Sequence, residues 1–263
     1  MMTDILTKIA AAKRLEVEAL KIDLPLDRLQ QQLGESPPPD EHRFAAALAD
    51  RTKVNIIAEI KKGSPSQGIM VEDFDAGTLA ENYRAGGAAA LSVLTDHDFF
   101  YGSFENLVTA RTRSGLPVLC KDFILDPYQL YYARHRGADA ALLIVRLHTV
   151  RDLQDLIKTG HDLGLDLLVE TRNEDEIAMA VDCGAKIIGV NNRNLADFTV
   201  DLAVSEHLAE VIPDSVTKVT ESGLFEPGHI VRLRDAGYHC FLIGQALVQS
   251  KDPAALIESL RLA

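Results

Sequence analysis

Eight short apolar segments, each followed by a polar loop and an amphipathic helix, predict an α/β fold: a (β/α)8 TIM barrel with an N-terminal helical extension. The alternations fill the chain from residue 54 onward at spacings of about 20 to 35 residues, the scale of a strand–helix unit. Five of the segments end in a charged or amide side chain. They are Ile56-Ile57-Ala58-Glu59-Ile60-Lys61, Val118-Leu119-Cys120-Lys121, Leu167-Leu168-Val169-Glu170, Ile187-Ile188-Gly189-Val190-Asn191 and Val219-Thr220-Glu221. Ionisable groups at the mouth of a buried sheet are expensive unless paired or used. In a parallel barrel the C-terminal strand ends are where catalysis is placed.

Residues 1–50 stand outside the repeat. Ile5, Leu6, Ile9, Ala12, Leu15, Val17 and Leu20 fall mostly at helical spacing, which predicts a helix over 4–20. Ser36-Pro37-Pro38-Pro39 breaks regular structure, and a further helix is predicted over 44–48. This segment lacks the apolar mass for its own core. The chain, 1–263, is therefore read as a single barrel domain, with residues 1–50 an extension packed on it. Strands are predicted at 54–61, 90–95, 117–123, 140–145, 166–170, 186–192, 217–222 and 240–245. The helices between and after them are predicted at 76–85, 104–114, 127–136, 150–163, 173–183, 203–211, 227–236 and 254–260. Gly86-Gly87, Gly137, Gly184 and Gly237 precede strands, where a glycine ends the helix and turns the chain back. An open doubly wound sheet is the alternative. Its mark, Gly-x-Gly-x-x-Gly after the first strand, is absent from Lys62-Gly63-Ser64-Pro65-Ser66-Gln67-Gly68.

Apolar residues make up 47% of the 263 and charged residues 25%, the balance of a soluble globular protein. A net charge of −12 argues against nucleic acid and against an anionic membrane surface as partners. It leaves room for a small anion held by local lysines and backbone amides. The longest apolar run, Ala138 to Val145, is interrupted by Asp139 and far too short to span a bilayer. The N-terminus has no basic region followed by an apolar one, so no signal peptide is visible. Cys120, Cys183 and Cys240 are odd in number and scattered, which fits a reduced, cytoplasmic setting with the thiols filling a core.

Side chains alternate along a strand, so residues i and i+2 share a face. Ile56, Ala58 and Ile60 form an all-apolar face that should meet the helices, which turns Glu59 and Lys61 into the barrel mouth. The same parity places Lys121, Glu170, Asn191 and Glu221 in that cavity. Lysines and glutamates interleaved in a buried space can both donate and accept protons near neutral pH. The alternative is a ring of salt bridges that merely closes the barrel. Strand seven runs into Ser222-Gly223 and strand eight into Gly244-Gln245, where backbone N–H groups can approach a phosphate; Ser64 could add a hydroxyl. Asp96-His97-Asp98 has no partner at metal spacing, so no metal site is expected. Phe99-Phe100-Tyr101, after strand two, suits either core packing or one wall of an aromatic-ring site.

These segments resemble the indole-3-glycerol-phosphate synthase family of tryptophan biosynthesis. The likeness lies in Ala58-Glu59-Ile60-Lys61-Lys62-Gly63-Ser64-Pro65-Ser66, Leu91-Ser92-Val93-Leu94-Thr95, Phe100-Tyr101-Gly102-Ser103 and Cys120-Lys121-Asp122-Phe123-Ile124. It continues through Leu168-Val169-Glu170, Gly189-Val190-Asn191-Asn192-Arg193-Asn194-Leu195, Glu221-Ser222-Gly223 and Phe241-Leu242-Ile243-Gly244, nearly end to end. Gly63 stands where a larger residue is often found, and Gln67 where lysine is common. The resemblance implies a carboxy-lyase acting on 1-(2-carboxyphenylamino)-1-deoxyribulose 5-phosphate, with ring closure, loss of CO2 and loss of water, and with no cofactor or metal. It implies Lys121 as the acid at the ketone oxygen, and Lys61 as partner of the substrate carboxylate and a proton donor in dehydration. Glu170 is implied as acid or base in that step, with Glu59 and Asn191 as positioning groups. Glu221 and Ser222 would meet hydroxyls, and Ser64, Gly223, Gly244 and Gln245 the phosphate. Phe100 and the N-terminal helix would cover the aromatic ring, and Arg193 would lie behind these groups or on the carboxylate side. A monomer is expected, with contacts to other tryptophan-pathway enzymes left open.

Two rivals remain at this point. Phosphoribosylanthranilate isomerase would use a Cys/Asp pair, yet Cys120 has helix-facing parity. A non-catalytic sugar-phosphate barrel should have lost Lys121 or Glu170, and both are present.

Overall fold

The computed structural model describes residues 5–35, 42–194 and 197–263. The predicted break at Ser36–Pro39, and Leu195, lie outside that set. Eight parallel strands close into a barrel in chain order: β1 (Asn55–Ile60), β2 (Ala90–Leu94), β3 (Val118–Lys121), β4 (Ala140–Ile144), β5 (Asp166–Thr171), β6 (Ile187–Asn191), β7 (Thr217–Glu221) and β8 (Cys240–Ile243). β8 pairs back onto β1, with Asn55 opposite Cys240 and Ala58 opposite Ile243. All eight predicted strands are present, and their ends shift by no more than a residue or two, as element ends do.

Parity gives the barrel two apolar layers. Ile56, Ala58, Ile60 and Cys120 belong to the layer between strands and helices. Ile57, Leu119, Ala140, Leu168, Val219 and Leu242 fill the interior beneath the mouth. All three cysteines are buried and free.

The outer helices are α4 (Ala76–Ala85), α6 (Phe104–Ser114), α7 (Pro127–His135), α8 (Val150–Asp162), α9 (Glu174–Asp182), α10 (Ala203–Ala209), α11 (Pro227–Asp235) and α13 (Pro253–Arg261). Side-chain caps explain several starts. Asp75 accepts from two backbone amides at the start of α4, and Asp126 with Gln129 forms a capping box on α7. The turns back into strands repeat one device: Gly87, Gly137, Gly184 and Gly237 all have φ between 86° and 99°.

The extension holds α1 (Ile5–Asp23), α2 (Leu26–Glu35) and α3 (Arg43–Leu48). The sequence did not signal α2, because only Leu29 on it is buried; that leucine packs with Val17 of α1 and Tyr128 of α7. The Tyr128 hydroxyl donates to the Leu20 and Leu24 carbonyls at 3.1 and 2.8 Å, and Lys21 pairs with Asp126 at 2.7 Å. These contacts fix the C-terminal end of α1. Three short mouth elements also lacked a periodic signal: a hairpin of Gly63–Ser64 with Gly68–Ile69, α5 (His97–Phe100) and α12 (Gln245–Gln249). At Gly63 an added Cβ would collide with the Gly68 carbonyl and the Tyr101 ring, so this hairpin requires the small residue found there. Among the described residues no helix is long and apolar enough to cross a membrane.

Candidate active site

Every side chain singled out from the sequence as a site residue lines one cleft at the C-terminal ends of the strands. Its volume is about 1190 Å3 counting the solvent-open rim. The charged groups meet at its floor. Lys121 Nζ lies 2.5 Å from Glu221 Oε2 and 3.9 Å from Glu59 Oε2. The other oxygen of Glu59 accepts from Lys61. Glu59 therefore bridges two lysines that come from β3 and the end of β1.

Three carboxylates share this space with two ammonium groups, and the imbalance surfaces at Glu170. Burial and then the neighbouring Glu221 charge push its carboxyl up to about 7, against partial relief from Lys121 and a hydrogen bond to Asn191. Burial opposes the charge on Lys121, but Glu221, Glu59 and Glu170 outweigh it and raise the ammonium above its ordinary value. Burial also opposes the charge of Glu59, and Lys61 and Lys121 hold its carboxyl below the usual range. At neutral pH the floor thus contains a charged lysine acid and a carboxyl balanced between its two forms.

Glu221 is 1% exposed, and its Oε1 has no hydrogen-bond partner among the described residues. Two glycines make room for the carboxylates. A Cβ at Gly189 would overlap Glu221 Oε1, and one at Gly244 would overlap Glu59 Oε1. Gly244→Ala is therefore expected to displace Glu59 from between its lysines. A shift of the order of 1 Å can cost ~10²-fold in rate. Steady-state turnover should fall at least about tenfold while the circular dichroism of the fold is retained.

The opposite side of the cleft is built from loops. Ser222 and Gly223 both adopt left-handed conformations, at φ 69° and 81°. A non-glycine residue held there costs about 1–2 kcal/mol, so the loop after β7 is strained in a fixed shape. Gly244 opens α12 after β8. Arg193 Nη2 donates to Gln245 Oε1 at 3.4 Å and Nη1 to the Phe198 carbonyl at 3.2 Å, which ties the loop after β6 to α12. Arg193 therefore stands beside the loop after β8. Ser64 lies in the hairpin after β1.

An apolar wall completes the cleft. Phe100 packs on Phe123 with ring centroids 5.9 Å apart. Ile5, Leu6 and Ile9 of α1 line the same space. The N-terminal helix was expected as a cover for the ring without Ile5, Leu6 and Ile9 being named, and neither Phe123 nor Lys13, behind them, was singled out as a site residue. A signal for Lys13 was present: it sits four residues from both Ile9 and Val17, inside the buried stripe of α1. Its ammonium pairs with Asp96 and Asp122.

The family model for indole-3-glycerol phosphate synthase matches residues 6–260. The indole-3-glycerol phosphate synthase of Microcystis aeruginosa is 44% identical over 265 residues, covering 98% of this chain and 88% of the relative. That of a Roseiflexus species is 43% identical, covering 98% of each chain, and that of Chlorobium luteolum 45% identical, covering 95% of each. Among solved structures, the chain is similar to 3-hexulose-6-phosphate synthase from Salmonella typhimurium, with a TM-score of 0.64 at 12% identity over 78% of this chain and 96% of that one. Thiamine phosphate pyrophosphorylase from Pyrococcus furiosus gives a TM-score of 0.59 at 14% identity, covering 80% and 95%. Those two likenesses speak for the barrel alone. Match length and identity to the curated relatives go further: the chain belongs to the indole-3-glycerol phosphate synthase family.

Proposed function

We propose that this cleft closes the indole ring of 1-(2-carboxyphenylamino)-1-deoxyribulose 5-phosphate, with Lys121 as the acid of the first step. The observation that carries the assignment is the placing of Lys121 between Glu221 and Glu59, with Glu170 pushed up to about 7 beside it. In the first step the ring carbon bearing the carboxylate bonds to the ketone carbon. Lys121 delivers a proton to the ketone oxygen, which becomes a hydroxyl. The bond to the carboxylate then breaks, CO2 leaves, and its electron pair restores the aromatic ring.

In the second step the hydroxyl departs as water. Lys61 supplies the proton to the leaving oxygen. Glu170, in its ionised form, takes a proton from the adjoining carbon–nitrogen unit, so the two transfers balance. Lys61 first pairs with the substrate carboxylate, and Glu59 and Asn191 hold Lys61, Lys121 and Glu170 in register. Glu221 Oε1, which lacks a partner among the described residues, is available to a substrate hydroxyl, as is Ser222. Ser64, Gly223, Gly244 and Gln245 hold the phosphate. The hydrogen bond from Arg193 to Gln245 supports a role for Arg193 on that side instead of beside the substrate carboxylate. The apolar wall receives the aromatic ring and excludes water. Each acid or base contributes about 10²–10⁴-fold.

Incubation of the chain with the proposed substrate, read by indole fluorescence, is expected to yield product. Tight binding of the substrate without product would favour the non-catalytic barrel.

A further inference from the structure

Leu6, Ile9, Lys13 and Val17 form the buried stripe of α1, and one of these four carries a charge. Lys13 is only 2% exposed. An ammonium in that position is costly unless it is paired and hydrogen-bonded. Its Nζ lies 2.8 Å from Asp122 Oδ1, 2.9 Å from Asp96 Oδ2 and 2.6 Å from Glu16 Oε2. Asp122 directly follows β3 and Asp96 lies just beyond β2. Each aspartate also grips backbone beside a wall phenylalanine. Asp122 Oδ1 accepts from the Phe123 N–H at 2.7 Å, and its Oδ2 from the Thr95 hydroxyl at 2.6 Å. Asp96 Oδ1 accepts from the Phe99 N–H at 2.8 Å, which caps α5, the helix that ends in Phe100.

On the ring-closure reading of the cleft, we propose that Lys13 is a positioning residue. Its ammonium fastens α1 to the ends of β2 and β3, and so sets the apolar wall against which the substrate's aromatic ring packs. The Tyr128 and Lys21 contacts hold the C-terminal end of α1, but the apolar contacts of its first turns are non-directional and do not by themselves fix those turns over the mouth. One cation shared by two aspartates fixes where Ile5, Leu6 and Ile9 lie relative to Phe100 and Phe123. Lys121 takes its own position from Glu221 and Glu59, on β7 and β1. Loss of Lys13 therefore leaves the proton donor in place and disturbs the ring side alone.

Lys13→Met is expected to raise KM at least about tenfold, with kcat within about threefold of the parent and the inhibition constant of inorganic phosphate unchanged. An unchanged KM overturns the assignment. So does a joint loss of kcat and phosphate affinity, the mark of a barrel loosened throughout. Because Lys13→Met strands two buried aspartates, Lys13→Met combined with Asp96→Asn is measured against Asp96→Asn alone. The same rise confined to KM between those two supports the clamp, and equal KM values overturn it. If the parent chain yields no indole product at all, the ring-closure reading falls, and the clamp's role in it falls too.

Discussion

Lys121→Ala is expected to lower kcat at least about 10²-fold while affinity for inorganic phosphate stays at the parent value. A 10²-fold loss is about 2.7 kcal/mol of transition-state stabilisation. The two effects separate because the groups lie on different parts of the barrel. Lys121 ends β3, whereas Ser222, Gly223 and Gly244 belong to the loops after β7 and β8. Removing the ammonium leaves Glu221 buried opposite Glu59 and Glu170 with less compensation, so some loss of stability accompanies the loss of rate. Burst and steady-state indole fluorescence of parent and variant, with phosphate inhibition run alongside, decides the matter. Equal turnover would remove Lys121 from the mechanism.

Glu170→Gln should produce an opposite pairing of effects: turnover at least about 10²-fold lower and a higher melting temperature above neutral pH. The parent carboxyl, at about 7 in the folded chain against an ordinary 4.5, binds a proton that the unfolded chain has already released. Between those values the folded state holds more protons, so the stability of the parent falls as pH rises through that window. The amide variant carries no such charge and escapes the fall. The rate follows the other sign: a base must be ionised, so parent kcat/KM should climb as pH rises through about 7. That limb should vanish in Glu170→Gln. Melting curves at pH 5 and 8 and a pH–rate profile test both halves; a variant less stable than the parent at pH 8 would contradict the buried-charge account.

The barrel was legible because its two layers impose a period of two on every strand. Ile56, Ala58 and Ile60 could face only helices, and that alone turned Glu59 and Lys61 into the mouth. Once the strand ends were known, the cluster of charges followed without any knowledge of contacts. The hairpin at Gly63–Ser64, α5 and α12 were not legible, since each is shorter than the window in which periodicity registers. α2 was missed because it buries a single leucine. The shift at Glu170 depends on its burial and then on Glu221, which the pairing of β5, β6 and β7 brings to the same mouth from a distant stretch of sequence. Lys13 was hidden differently. Its register on α1 was visible, but its aspartate partners lie at the ends of other strands, and a lysine in an apolar stripe gives no sign of which carboxylates it will meet.

The pairing of β8 with β1 gives the site a temporal character. Glu59 is made early in synthesis and Gly244, whose α-carbon leaves it space, comes near the end. Lys121 finds its nearest carboxylate on a strand one hundred residues downstream. A ribosome-bound chain that has released only the first five strands therefore possesses both lysines and two of the glutamates, but not the Lys121–Glu221 pair. Appearance of indole-forming activity should mark the moment the last strand docks, which makes this chemistry a natural clock for completion of the ring of strands.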